Sequence, residues 1–323
     1  MNAKDTPLLL DKISFAWIVL ALFFPIFGYS QQPDVASYPN KPITFIIPLP
    51  PGVASEVSIR LLITNAEKHI GQPIVPINKP GAGLTIGIAE LAKASPDGYT
   101  IGFSAFGPMT VVPFIQKVPY DPINDFIQIM QFSTSNPGLV VRADSPYKSL
   151  RDIIAAARQG KNLSFGGTAS GLAPTVMRKI AEKEGVTIVH IPFASGGTAE
   201  TALLGGHIDM VAGDFRSSLI DSKKTRLIVL WREEKAVEYP QVPLLSELGY
   251  DIPLRLFFAV QGPKGIPEGI VKKLEDAFTK AINEPEFIQG MKRLQYPIFY
   301  RNSHDLNEYL ARSYELYREF FKN

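Results

Sequence analysis

The chain has 323 residues, room for two domains with separate cores, and its 33 basic and 31 acidic side chains nearly cancel. So even a balance leaves no electrostatic footprint for nucleic acid, while 46% apolar and 11% aromatic residues fit a soluble globular protein. Cysteine is absent, which excludes disulfides, thiolate metal sites and a cysteine nucleophile.

Lys4 and Lys12 precede an apolar run over 13–27, broken only by Ser14 and Pro25, and Gly28-Tyr29-Ser30 offers small residues where a signal peptidase cuts. The pattern predicts a secretory signal peptide over 1–30, because the run is shorter than the roughly 20 residues of a spanning helix. A polar, proline-containing lead-in over 31–42 is expected to be flexible.

Residues 44–47 then read as a strand covered on both faces, and Pro48-Leu49-Pro50-Pro51-Gly52 forces a turn. A helix follows, with Ser55 as its cap and Glu56 complementing its dipole, until Gly71. Such a turn leaves unpaired N–H groups at the helix start, where an anion is favoured. After a strand at 73–77, the glycines at 81, 83 and 87 are one residue too long for a dinucleotide fingerprint. No strand with an acidic residue follows at the proper distance, so they read as a turn with close helix packing.

A helix at 86–94 and strands at 99–104, 126–132 and 138–142 continue the pattern, with 108–122 irregular. From Ser149 a helix runs to Arg158; the strand at 163–165 then enters Gly166-Gly167-Thr168-Ala169-Ser170-Gly171 and a helix from about Ala173. A third unit has a strand at 187–193, the loop Ala194-Ser195-Gly196-Gly197 and a helix at 198–204. Three strand, small-residue loop, helix units matter together, because in open parallel sheets such loops gather at the carboxyl ends of the strands, where ligands bind. Asp214 ends the next strand, placed to hold a ligand or cap a turn. Arg216 nearby is placed to neutralise an acid or to face solvent. Strands at 226–231 and 257–260, a short helix at 244–248 and helices at 268–283 and 305–321 complete the chain.

Catalytic patterns are missing. The four histidines have no metal-ligand spacing, and neither a P-loop nor a Gly-x-Ser-x-Gly elbow occurs. A hydrolase would need a Ser and a His from distant parts of the chain to meet in space.

The ordered segments Tyr38-Pro39-Asn40-Lys41-Pro42-Ile43, Pro50-Pro51-Gly52, Asn78-Lys79-Pro80-Gly81-Ala82-Gly83, Pro96-Asp97-Gly98-Tyr99-Thr100, Phe165-Gly166-Gly167-Thr168 and Leu203-Leu204-Gly205-Gly206-His207-Ile208-Asp209 resemble the Bug family. These are the substrate-binding receptors of bacterial tripartite tricarboxylate transporters. The resemblance implies an α/β, two-lobed periplasmic-binding-protein (Venus flytrap) fold, each lobe a mixed, mostly parallel sheet flanked by helices. Lobe 1 is expected over 31–139 and 260–323, lobe 2 over 140–259, with two crossings that favour hinge closure. It also implies a periplasmic monomer without a cofactor, which captures a small organic acid, delivers it to membrane permease subunits and catalyses no reaction. The alternative reading keeps the same fold as a ligand-presenting partner of a sensor.

By the same resemblance, Pro51, Gly52, Val53, Ala54 and Ser55 match the family's first carboxylate-binding loop, and Phe106 joins the ligand set. Gly167, Thr168, Ala169, Ser170, Gly171 and Leu172, then Ala194, Ser195, Gly196 and Gly197, and Asp214 match the second-lobe loops. Backbone amides at helix starts hold a carboxylate without a formal positive charge. The chain departs from the family at Val53 and Ala54, where glycines are usual, and at Ser55 and Glu56, where threonine and aspartate are. Leu172-Ala173-Pro174-Thr175 replaces polar residues, often including a histidine. Those changes point to a ligand with a larger apolar body, or to weaker binding.

Overall fold

A computed structural model describes residues 35–168, 172–233, 235 and 239–322. The expected signal peptide and the expected binding residues Ala169, Ser170 and Gly171 lie outside them.

Apolar runs without polar alternation need cover on both faces, and the first strand shows how it is supplied. In β1 (Ile43–Ile47), Ile43, Phe45 and Ile47 enter one core while Ile46 enters another on the opposite face. After it come α1 (Ala54–Ile70), β2 (Ile74–Asn78), α2 (Thr85–Ala92) and β3 (Thr100–Ala105). A π-helical turn (Gly107–Val111) runs into α3 (Val112–Ile115), and β4 (Phe126–Ser133) closes this part. The middle of the chain supplies β5 (Pro137–Arg142), α4 (Leu150–Arg158), β6 (Leu163–Thr168), α5 (Leu172–Glu184), β7 (Ile188–Phe193), α6 (Gly196–Leu204), β8 (Met210–Asp214), α7 (Ser217–Asp221) and β9 (Thr225–Leu230). The return brings β10 (Phe258–Pro263), α8 (Glu268–Ile282), α9 (Pro285–Leu294), β11 (Ile298–Arg301) and α10 (Ser303–Lys322).

The strands form a six-stranded sheet ordered β11-β4-β10-β3-β1-β2 and a five-stranded sheet ordered β7-β6-β8-β5-β9. In the first, β1, β2, β3 and β4 run one way and β10 and β11 the other. In the second, β5 alone is reversed. Each sheet is a middle layer. Helices α1, α8 and α9 cover one face of the first sheet, while α2 and α10 cover the other. Helices α4 and α5 cover one face of the second, and α6 covers the other. These are the two mixed, helix-flanked sheets that the motif order implied.

The chain passes from the first sheet to the second between Ser133 and Pro137 and returns between Leu230 and Phe258. The expected boundaries, 139/140 and 259/260, fall inside β5 and β10. Each of those strands pairs along its whole length within one sheet. An apolar run marks a buried strand but not its partner, so pairing alone places the crossing.

Other expectations are corrected. The lead-in is docked rather than flexible over its described part: Tyr38 is buried, its hydroxyl donates to Gly98 O at 2.7 Å, and Lys273 Nζ donates to the carbonyls of Val35 and Tyr38. The stretch expected to be irregular holds the π-helical turn and α3, because prolines at 108 and 113 fall in first turns, where a missing N–H costs nothing. Helix α9 and strand β11, absent from the sequence reading, are held by Phe287 and Met291 in the core and by pairing with β4.

Candidate functional site

The loop after β1 supplies the first wall. Gly52 sits at φ +86°, a left-handed conformation that suits glycine, Val53 is extended, and α1 begins at Ala54. Ser55, the expected cap, already lies in the first turn. No side chain caps α1; buried Glu56 instead reaches back past the helix start, and its Oε2 accepts the Gly52 N–H at 3.1 Å, which holds the turn. Arg60 and Asn78 hold the other oxygen of that carboxylate. Burial opposes ionisation of Glu56, yet the bonds from Gly52, Arg60 and Asn78 outweigh it and hold the carboxyl below its usual value. Among the expected binders in this loop, Pro51 has no N–H and that of Gly52 is engaged by the protein itself. The N–H groups of Val53, Ala54 and Ser55 have no acceptor among the described residues. Beside this loop, Ala82 and Leu84 hold positive φ, +46° and +77°, a local strain for residues with side chains.

Phe106, just past β3 at the same sheet edge, donates its N–H to Phe257 O at 3.3 Å. Its half-buried ring packs against the cores of both sheets. It therefore marks the seam between them.

The second wall is the carboxyl edge of three adjacent strands. Thr168 pairs with Phe193, Gly166 with Val211, and Pro137 with Asp214, so the ends of β6, β7 and β8 and the start of β5 lie side by side. That register brings together Gly167, Thr168, Ala194, Ser195, Gly196, Gly197 and Asp214. Ser195 caps α6 reciprocally with Thr198: Thr198 N–H donates to Ser195 Oγ at 3.3 Å and Ser195 N–H to Thr198 Oγ1 at 3.2 Å. The next two amides, of Gly196 and Gly197, have no acceptor among the described residues. Leu172 and Ala173 are buried in the core beneath α5, so their side chains serve packing and do not shape a ligand surface. The apolar ligand body inferred from them loses its support.

Asp214 is exposed at the carboxyl edge, and neighbouring chain crowds its carboxylate. Its carboxylate accepts the Asn136 N–H at 3.0 Å and is bonded by the Ser135 hydroxyl, which ties the end of β8 to the crossing segment. Burial pushes its pKa up from 3.8 to about 6, the two bonds pull it down, and the charge of nearby Glu200 raises it. The folded carboxyl thus binds its proton more tightly than the unfolded one, so its ionisation lowers stability as pH rises from 3.8 to about 6. Asp214→Asn keeps an acceptor and has no charge to desolvate. Denaturant unfolding from pH 4 to 8 is expected to show a flatter profile for the variant and higher stability than the parent at neutral pH; parallel profiles would refute this. Arg216, considered as a counter-charge for a bound acid, instead donates its backbone N–H and its Nε–H to buried Glu200.

A family model described as tripartite tricarboxylate transporter family receptor matches residues 58–320. The chain belongs to that receptor family. A UPF0065 protein from the gbd 5′ region of Cupriavidus necator is 34% identical to this receptor over 284 residues, covering 87% of this chain and 86% of that protein. Among solved structures, a TctC solute-binding protein from Polaromonas superposes with a TM-score of 0.74 at 27% identity, covering 88% of this receptor and 99% of that chain. MatC from Rhodopseudomonas palustris, solved with bound malate, superposes with a TM-score of 0.73 at 22% identity, covering 88% of this receptor and 100% of that chain. The last likeness speaks for the fold. The family is one of periplasmic receptors rather than enzymes, and the Polaromonas protein is a solute-binding protein.

Tyr296 was not expected at the site, and Glu56 was expected only to complement the helix dipole. Tyr296, between α9 and β11, packs edge-on against Phe258 at 5.4 Å, and burial and the Asp214 charge both push its phenol pKa up. Nothing local announces it. Glu56 did carry a signal, since it stands four residues after a turn glycine and four before an arginine.

Proposed function

We propose that the receptor captures a small carboxylate between the two carboxyl edges and delivers it to the permease of a tripartite transporter, after removal of a signal peptide over 1–30. The observation that supports this reading is the pair of helix starts at the carboxyl edges of the two sheets. The N–H groups of Ala54 and Ser55 open α1, those of Gly196 and Gly197 open α6, and none has an acceptor among the described residues. Helix starts of this kind favour an anion through aligned N–H groups and the helix dipole. Capture of malate by MatC in the same fold supports a carboxylate ligand. Glu56 limits how far an acid can approach the first loop, because it already holds Gly52 and places a negative charge there. The ligand carboxylate is therefore assigned to Val53–Ser55 on one side and to Gly196 and Gly197 on the other, with Thr168 and Phe106 flanking it and Asp214 facing its polar part.

Ala54→Pro tests this with little disturbance. Proline is at home in the first helical position, and Val53 already has the extended backbone that precedes proline, so only the N–H is lost. Thermal-shift titration with malate and other small organic acids is expected to stabilise the parent, by about 2.7 kcal/mol at 100 times the dissociation constant. The variant should melt like the parent without ligand and bind about tenfold more weakly. No shift from any organic acid, or an Ala54→Pro variant that binds as well as the parent, would overturn the reading.

A further inference from the structure

Away from the carboxyl edges, the segment leaving β9 and the segment entering β10 run past β11 and α10, and a pocket of about 80 Å³ opens among them. One water takes about 10–15 Å³ by that measure, so the space suits several waters or one small oxyanion. Its lining is cationic. Arg232 and Arg301 border it, Arg255 lies close by over the ring of the bordering Tyr309, and among the described residues Glu233, exposed to solvent, is the one acid that borders it.

The three guanidinium groups are incompletely matched. Arg255 Nε lies 3.2 Å from Glu233 Oε1 but out of line for a hydrogen bond, which leaves its N–H buried without an acceptor. Buried donors in that condition are rare and costly. The Arg301 and Arg255 guanidinium groups lie over the same Tyr309 ring, 3.8 and 5.2 Å from its centroid, so two like charges share one aromatic partner. Arg301 also donates to the neutral Gln131 side chain, and among the described residues Arg232 makes one long contact, 3.4 Å to Asn136 Oδ1. An oxyanion in the pocket would accept from Arg232 and Arg301, which border it, and offset the repulsion between Arg301 and the neighbouring Arg255. The planar fork of arginine suits oxygen anions well.

We propose that this pocket is a binding site for a small inorganic oxyanion of the phosphate or sulfate class, separate from the carboxylate site. The site lies between the segments that join the two sheets, and it needs nothing from the helix starts of α1 and α6. Isothermal titration calorimetry of the mature chain with inorganic phosphate, at ionic strength held constant with sodium chloride, tests it. Saturable binding by the parent is expected, at least tenfold weaker in Arg232→Gln and in Arg301→Gln, and unchanged in Ala54→Pro. Arg232 makes the weaker contacts of the two, so its variant keeps the test valid if Arg301→Gln fails to fold. Heats that do not saturate, or equal affinity in parent and Arg232→Gln, would overturn the proposal. Loss of phosphate binding in Ala54→Pro with retention in Arg232→Gln would also overturn it, by placing the ion at the helix starts. Malate titrated in parallel separates the two sites, since its binding should fall in Ala54→Pro and persist in Arg232→Gln.

Discussion

Gly167→Val is expected to destabilise the second sheet by about 3 kcal/mol or more, the upper range for forced overpacking. A Cβ at this position would stand 2.9 Å from the carbonyl oxygen of Ala212 and 3.4 Å from the Ala173 side chain. The first of these is the backbone of the neighbouring strand, which cannot rotate away as a side chain would. The β6–β8 pairing therefore has to part, and valine adds two further carbons to the clash. Since Thr168 and the start of α5 follow directly, ligand binding should fall with the fold. Urea denaturation measures this, with Gly107→Ala as the control, because a Cβ there meets nothing within 4 Å. A valine variant as stable as the control would mean that the strands can separate locally at little cost.

Glu56→Ala should be the costliest change in the first loop, at about 3 kcal/mol, near the lower range for breaking a buried charge pair because Arg60 is 44% exposed and keeps part of its hydration. The carboxylate joins three parts of the first lobe: the Gly52 turn, Arg60 on α1 and Asn78 at the end of β2. Asn78 in turn holds Leu49 O and Arg60, so its partners loosen together. Glu56→Gln retains an oxygen for the Gly52 N–H and should lose about 1–2 kcal/mol. The pH dependence has a definite sign. A carboxyl held below its usual value of 4.5 contributes its full stabilisation above that value and loses it as pH falls through the lowered one. Acid denaturation of Glu56→Gln should therefore lack part of the parent's fall in stability below pH 4.5, and identical acid limbs would contradict the role given to this residue.

The distinction between Gly52 and Gly167 shows what a glycine-rich loop leaves undecided in a sequence. Both stand in small-residue loops after strands, and both were assigned to meet a ligand. Gly52 is required by its own backbone angle with open space around it, while Gly167 is required by the carbonyl of another strand. Leu172 is a similar case. Its position in a binding loop pointed toward the ligand, yet it is the first residue of α5 and turns into the core.

Local rules acting within a few residues were enough to determine the alternation of strand and helix, most turns, the reciprocal cap at Ser149 and the order of motifs that marks the receptor family. Those features depend on backbone freedom, apolar periodicity and the capping of nearby amides, all of which the neighbouring residues settle. Only the tertiary structure decided that β10 inserts between β3 and β4, that Glu56 takes the Gly52 amide, that Tyr38 is buried and that Arg255 and Arg301 share the face of Tyr309. Each of these depends on partners far away in the chain. Strand pairing, desolvation and side-chain direction are set by the surroundings that folding creates, not by the identity of adjacent residues.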